Sequence, residues 1–364
     1  MATDVQTTDP SDVPALGRPS LKITGLHIRG LKSIRSLDLP ADGLGWNERI
    51  PDFLTIGGAN GTGKTTLLEF LAAALSPIEG GGESSRTQAI MADEAWVDFE
   101  FHWPNVLNAK FRFIVGDESF VEANCGENWF GYSSRRSNPR GPLEVGLTMG
   151  GDIQGRLWGR LFDDPRVGDE ASPGVVYFPS ERRLTSPETN MKTPGKRSLL
   201  QPFIYRWERP KDWVDGVEAR LYSLRWEDLN AKEEGRDQDA HSFDAFADAT
   251  DRFFGGRKRL AWEKAELIVR TKNGTSHGLS GLSSGEKQIV LFLAELDYRW
   301  RPGSLILIDE PELHLHESFQ SQLWIALVDW QKERGGQVFI ATQSGHLFGL
   351  GEPDTKVLLG RRTL

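Results

Sequence analysis

Apolar residues alternate with polar ones through Leu21, Ile23, Leu26 and Ile28, on either side of Gly25, and again at Leu37 and Leu39 after a break over residues 31–36. A period of two marks half-buried strands, so this spacing predicts an antiparallel strand pair feeding a first parallel strand at 53–56. A helix is expected over 65–75, stopped by Ser76-Pro77 and the glycines at 80–82. Alternation returns at Ala95, Val97, Phe99 and Phe101, then at Phe111, Phe113 and Val115, predicting two further strands. Residues 116–174, rich in Gly, Pro and Arg, read as loops with short strands, and 184–238 shows no strong period. Between them 175–178 is a compact buried strand. Phe243, Phe246, Thr250, Phe253 and Phe254 mark one face of a helix closed by Gly255-Gly256, and a strand follows at 267–271. The last third alternates: helix 284–298, strand 305–309, helix 318–332, strand 338–342 and a short strand at 356–359. Alternation of that kind builds a parallel, doubly wound sheet.

The expected fold class is therefore α/β, with an antiparallel β lobe beside a parallel sheet. The chain divides into a disordered tail at 1–19, an N-terminal half of the core at 20–183, an inserted mixed or helical lid at 184–258, and a C-terminal half at 259–364. At 364 residues it is long enough for one large domain carrying such an insertion.

Three strings carry the chemistry. Residues 58–65 read Gly58-Ala59-Asn60-Gly61-Thr62-Gly63-Lys64-Thr65, between an apolar strand and a helix. Gly58, Gly61 and Gly63 let the backbone turn tightly and aim N–H groups at an anion, and the helix adds the positive end of its dipole. Asn60, Thr62 and Thr66 belong to the same cradle, Lys64 supplies a charge for the β- and γ-phosphates, and the Thr65 hydroxyl suits Mg²⁺. Asp309 closes the apolar run Leu305-Ile306-Leu307-Ile308, so its carboxylate emerges at the edge of the sheet where it can hold Mg²⁺. Glu310, one residue on, can orient or deprotonate an attacking water. The third string is Leu282-Ser283-Ser284-Gly285-Glu286. Ser283 and Glu286 fit a helix capping box, and a capped helix start with Ser283, Ser284 and Gly285 exposed is also a second anion site. A single phosphate loop has little need of a second helix end, so the economical geometry is head to tail, with Ser283 of one copy closing on the γ-phosphate held by another.

With these residues the chain resembles the ABC-class P-loop ATPases of the OLD (overcoming lysogenization defect), RecF and SMC group. Pro311-Glu312-Leu313-His314-Leu315-His316 is similar to the D-loop region of that group, and Tyr177-Phe178-Pro179-Ser180-Glu181-Arg182-Arg183 to a segment found in such ATPases. Leu26-His27-Ile28-Arg29-Gly30-Leu31-Lys32-Ser33-Ile34 resembles its amino-terminal strand turn, with Leu31 where Phe is usual. The resemblance covers 21–102 and about 259–359 well and the middle poorly. It implies an ABC-ATPase-like P-loop core, ATP and Mg²⁺ as cofactors, and nucleotide contacts from Lys32 and Ser33. It also implies a Q-loop glutamine near the metal, for which Gln88 is the candidate. Catalysis would fall to Lys64, Glu310 and Gln343. Gln343 stands where SMC and transporter relatives place a histidine; glutamine donates a hydrogen bond but carries no proton charge, which points to slow hydrolysis or use of ATP as a clamp. The family pattern accounts for His314-Leu315-His316 without a metal.

The same resemblance implies an ATP-dependent homodimer or a larger oligomer, regulating a separate effector such as a nuclease or toxin, as in OLD-like and Septu-type anti-phage systems. Leu364 comes directly after the last strand, so the Toprim nuclease of full OLD proteins is not expected and the effector would be a partner. A RecF-like DNA-repair ATPase is the alternative, with nucleic acid as partner; a transporter subunit is least supported.

Charge weighs on that choice. The net charge of −9 argues against a general nucleic-acid binder. Eight basic residues lie between Arg182 and Lys211 against Glu188 and Glu208, and from Asp212 to Asp251 twelve acids face four bases. Both runs read first as solvated surface, and the basic one is where a polyanion or acidic partner would dock. Trp207, Trp213 and Trp226 read as local packing rather than base-stacking platforms. No apolar run reaches a membrane span, and the single cysteine, Cys125, excludes an internal disulfide and a Cys-rich zinc site. The expected compartment is the cytoplasm.

Overall fold

The computed structural model describes residues 18–40, 46, 49–75, 92–104, 107–136, 143–150, 173–180, 204–206, 217–236, 242–264, 266–313 and 315–360. Two large sheets dominate it. The first is built from β1 (Ser20–Leu31), β2 (Ile34–Leu39), β4 (Glu94–Trp103), β5 (Leu107–Asp117), β6 (Trp129–Arg136) and β7 (Leu143–Gly150), in the order β2-β1-β4-β5-β6-β7. Its neighbours are antiparallel except β5 and β6, which a short helix, α2 (Glu118–Asn124), joins as a parallel pair. The second sheet is wholly parallel, in the order β15-β3-β14-β13-β8-β9: β3 (Phe53–Gly57), β8 (Val175–Phe178), β9 (Ile204–Arg206), β13 (Leu305–Asp309), β14 (Gln337–Thr342) and β15 (Lys356–Leu358). A small antiparallel sheet of β10 (Lys258–Glu263), β11 (Glu266–Thr271) and β12 (Ser276–His277) completes the strands.

The parallel strands read as continuous apolar runs because both of their faces are covered. Leu305, Leu307, Val175, Tyr177, Phe339 and Ala341 face one core, shared with α1 (Lys64–Ala74) and the antiparallel lobe. Ile306, Ile308, Val176, Phe178, Val338 and Ile340 face a second core. That core is shared with α3 (Val217–Glu233), α4 (Ser242–Phe253), α5 (Ser284–Arg299), α6 (Glu317–Arg334) and α7 (Gly345–Leu350). The two-residue period of the strands thus sorts alternate side chains into two separate cores.

Within β1 the buried residues change parity, from Leu21 and Ile23 to Leu26 and Ile28. The pairing with β4 slips between Ile23 and Gly25, so a bulge at Thr24 restores the inward face after the extra residue. The lobe is tied to the parallel sheet by Gln337, fully buried at the start of β14. Gln337 Oε1 accepts from Ile23 N at 2.8 Å, and its Nε2 donates to Ile23 O at 3.1 Å and Pro51 O at 3.2 Å.

The sequence-expected strands and helices of the core are present, β6 and β7 fall in the stretch read as loops with short strands, and α2, β9, α3, β10, β12 and α7 are elements that the sequence reading did not call. Of the segment expected as an inserted lid, β9 extends the parallel sheet and α3 and α4 pack into the second core. Asp228 on α3 is fully buried and accepts from Ser242 N at 2.8 Å and Phe243 N at 3.1 Å, so a side chain of one helix caps the start of the next. The 1–17 portion of the expected tail, Gln88, Arg182, Arg183, Trp207 and Trp213 lie outside the described residues. Trp226 lies on α3 and is 54% exposed.

Candidate functional site

The 58–65 loop leaves the C-terminal end of β3 and enters α1. Gly63 holds φ 100° and ψ 14° just before the helix, which no side chain caps and whose first turn contains no acidic residue. The positive end of the helix dipole is thereby left for an anion from outside the helix. A Cβ at Gly63 would lie 2.5 Å from Ile34 Cγ1, so β2 presses directly on the loop and only glycine fits both the backbone angle and the space. Gly61 also has a positive φ, 79°, and faces open space.

A cleft of about 300 Å³ opens above this loop. Asn60, Gly61, Gly63, Lys64, Thr65 and Thr66 line one side. Ser33, from the turn between β1 and β2, and Glu310 and Gln343, from the ends of β13 and β14, line the rest. Three distant stretches of sequence converge here because the ends of three adjacent parallel strands, β3, β14 and β13, share one edge of the sheet. The volume lies at the small end of ligand clefts and suits a polyphosphate tail.

Lys64 is 4% exposed, and its Nζ donates to Gly58 O at 2.9 Å and Ala59 O at 3.1 Å. Its ammonium therefore lies beneath the loop whose amides would meet the phosphates. Thr62 Oγ1 donates to Ala59 O at 2.9 Å, tightening the same turn. Thr65 Oγ1 donates to Asp309 Oδ2 at 2.7 Å across the sheet edge, and Asp309 is fully buried. A hydroxyl and a carboxylate within one hydrogen bond, beside a phosphate loop, form the all-oxygen donor set that Mg²⁺ takes, with waters and phosphate oxygens filling its remaining positions. Glu310 adopts φ 45°, a left-handed conformation that costs a non-glycine residue energy, and its N donates to Ala341 O at 2.8 Å. That turn brings its carboxylate to the cleft, where Gln343 Nε2 donates to Glu310 Oε2 at 3.4 Å.

Ser283 caps α5 and the full capping box is present: Glu286 N donates to Ser283 Oγ at 3.3 Å, and Ser283 N donates to Glu286 Oε2 at 2.8 Å. Lys258 Nζ also donates to Glu286 Oε2, at 2.8 Å. Burial pushes the Glu286 carboxyl up, but the Lys258 ammonium and the Ser283 amide and hydroxyl more than reverse this and hold its pKa below the ordinary glutamate value. Ser283, Gly285 and Glu286 do not line the cleft of their own chain, nor does Lys32, whose Nζ lies 3.8 Å from Glu69 Oε2 on α1. His316 caps α6, accepting from Ser318 N, and the described residues hold no cluster of His, Cys, Asp or Glu suited to a metal ion. No described helix is long and apolar enough to cross a membrane.

One buried acid, quoted in the D-loop-like string, was given no role of its own by the sequence reading. Glu312 Oε1 accepts from Thr342 Oγ1 at 2.6 Å, Gln343 N at 3.0 Å and Ser344 N at 3.2 Å. Its signal in the sequence is its place in the D-loop-like string, two residues beyond Glu310.

Comparison with protein families matches residues 207–348 to the family described as "AAA domain, putative AbiEii toxin, Type IV TA system". That stretch is less than half of the chain; it includes Ser283, Asp309, Glu310 and Gln343 but not the phosphate loop. It supports a nucleotide-binding ATPase class. No curated protein matches. Among solved structures, an SMC head bound to the C-winged helix domain of ScpA is 14% identical, with a TM-score of 0.45 over 90% of this chain and 91% of that one. The SMC head domain from Thermotoga maritima gives the same values. A Pyrococcus furiosus SMC head with an extended coiled coil is 15% identical, with a TM-score of 0.42 and the same coverage.

Proposed function

We propose that this chain is a cytoplasmic ATPase that binds Mg-ATP at the 58–65 loop, closes head to tail with a second copy, and so regulates a separate effector. The observation that carries the reading is the convergence of an uncapped helix start, a buried lysine, the Thr65–Asp309 pair and the Glu310–Gln343 pair on one cleft. Bound Mg²⁺ would neutralise charge on the β- and γ-phosphates, held by Thr65 and Asp309. Lys64 turns from the loop carbonyls to phosphate oxygens, Glu310 accepts a proton from water, and Gln343 orients that carboxylate.

Closure as a pair is supported by the place of Ser283. Its hydroxyl accepts from Glu286 N at 3.3 Å and still has a proton to donate, but it does not line its own cleft. A second copy can present that proton to the γ-phosphate. The effector reading rests on the resemblance to OLD-like and Septu-type ATPases, and the description of the matched family as a putative toxin of a toxin–antitoxin system is in keeping with it. Anti-phage defence is the setting it favours.

The test is the Glu310→Gln protein in size-exclusion chromatography with light scattering, with and without Mg-ATP, alongside ATP binding and turnover. Binding is expected to persist, turnover to fall by about 10²-fold or more, and mass to double with Mg-ATP. Wild-type protein that does not bind Mg-ATP would overturn the assignment. Normal turnover in Glu310→Gln would move the base elsewhere, and a mass that ignores ATP would rule out the shared cleft.

A further inference from the structure

Two segments bring side chains to the far wall of the cleft: the turn after β13, with Glu310, and the end of β14, with Gln343. A single carboxylate oxygen joins them. Glu312 is 6% exposed, and its Oε1 takes donors from three consecutive residues at the end of β14: Thr342, Gln343 and Ser344. Ser344 N also donates to Thr342 Oγ1 at 3.0 Å, while Ser344 Oγ donates to Gln320 Oε1 at 2.7 Å, anchoring the junction to α6. The outcome is that the backbone of Gln343 is fixed relative to the turn that carries Glu310.

The chemistry of Glu312 exceeds what stitching alone requires. Its Oε2 is buried and meets no hydrogen-bond donor among the described residues. A buried carboxylate with one bare oxygen is costly, and an uncharged amide would supply the same single acceptor without burying a charge. What the carboxylate adds is strength: bonds to an ionised acceptor are shorter and about twice as strong as neutral ones. Stiffness matters at this place because Gln343 Nε2 stands 3.4 Å from Glu310 Oε2, a long contact that a small backbone shift would break.

We propose that Glu312 is a positioning residue for ATP hydrolysis, acting through Gln343 on Glu310 without touching the nucleotide. This rests on the ATPase reading above. It predicts a split between binding and turnover, because the loop that holds the phosphates is not among its partners.

The experiment compares Glu312→Ala, Glu312→Gln and Gln343→Ala, singly and as the Glu312→Ala/Gln343→Ala double variant, by Mg-ATP titration and steady-state turnover. Glu312→Ala is expected to lower kcat by about 10- to 100-fold, as for a catalytic group displaced by about 1 Å, with the Kd for Mg-ATP unchanged within about threefold. Glu312→Gln, which keeps an acceptor at the Oε1 position but not its charge, recovers part of that loss. In the Gln343→Ala background Glu312→Ala costs less than about threefold more, since the two act as one unit. Should Glu312→Ala not fold, Glu312→Asp, which withdraws the carboxylate by one methylene, carries the same comparison. Unchanged kcat, a parallel fall in affinity and turnover that Gln does not repair, or multiplying losses in the double variant would each overturn the proposal. Wild-type protein without ATP binding or turnover sinks the ATPase reading itself, and this inference with it.

Discussion

Lys64→Ala separates the energetics of the loop from those of its ligand. Lys64 Nζ donates to two neutral acceptors, Gly58 O at 2.9 Å and Ala59 O at 3.1 Å, from a side chain that is 4% exposed. Two bonds from a charged donor stabilise the fold by about 3 to 6 kcal/mol together. Withdrawing the ammonium from water costs several kcal/mol, so the two terms nearly cancel. Removing the side chain should shift Tm by no more than about 4 °C, measured without nucleotide. Binding has no such cancellation. Nucleotide exchanges neutral carbonyl acceptors for ionised phosphate oxygens, and each bond from the ammonium to a phosphate oxygen contributes about 1.5 to 3 kcal/mol that the variant cannot make. At 1.4 kcal/mol per tenfold, Kd for Mg-ATP should rise by about 10- to 150-fold for each bond exchanged. Isothermal titration calorimetry reads Kd and differential scanning fluorimetry reads Tm on the same samples. An affinity within about threefold of wild type would refute the phosphate contact, and a Tm loss above about 10 °C would assign Lys64 to the fold instead.

Two further predictions concern geometry and pH. Gly63→Ala puts a Cβ 2.5 Å from Ile34 Cγ1 and a side chain at φ 100°; the loop should be displaced and Mg-ATP affinity fall at least about tenfold. Wild-type affinity in a titration would show that the loop conformation is not what binds. The lowered pKa of Glu286 stabilises the fold above the ordinary glutamate pKa of about 4.3, and that contribution is lost as pH falls through the lower folded value. Glu286→Gln should therefore lower Tm at pH 7 and flatten the decline of Tm toward about pH 3, and an unchanged acid limb in thermal melts would count against the capping-box and Lys258 contacts.

How much of this was legible depended on whether the signal was local. The buried strands at 175–178, 305–309 and 338–342 announce themselves because both faces are covered and every position is apolar except Asp309 and Thr342 at the strand ends. The phosphate loop was legible for a similar reason: glycine spacing, lysine and threonine sit within eight residues. Helix α3 was hidden. Its inward positions include Leu221, Leu224 and Ala231 but also the buried Asp228, while Trp226 and Leu229 point outward at 54% and 42% exposure. The apolar period is broken because one core position is spent on capping α4, a demand set by a segment 14 residues away. The change of parity at Thr24 in β1 was visible in the spacing, but its cause, a slip against β4, was not. Glu312 was opaque for the same reason, since its partners lie about 30 residues further on.

The contacts that define the cleft share a logic that bears on how it would work. Thr65–Asp309 joins α1 to β13, Gln343–Glu310 joins the ends of β14 and β13, and Glu312–Thr342 repeats that second join one layer deeper. Each spans two elements packed into the cores on the faces of the sheet, so the backbones that carry these contacts cannot move apart without disturbing close-packed side chains. The contacts that nucleotide and Mg²⁺ would take over are exchangeable ones: a lysine on carbonyls and a hydroxyl on a carboxylate. Nucleotide would replace them one for one, so little of its binding energy goes into moving strands. What does not move in such an exchange is the start of α5, where Ser283 is held by its capping box. If a second copy reads the bound state, it must therefore read the phosphate itself rather than a rearranged surface, and the response to ATP should be lost with the γ-phosphate: Mg-ADP should bind Glu310→Gln protein without doubling its mass.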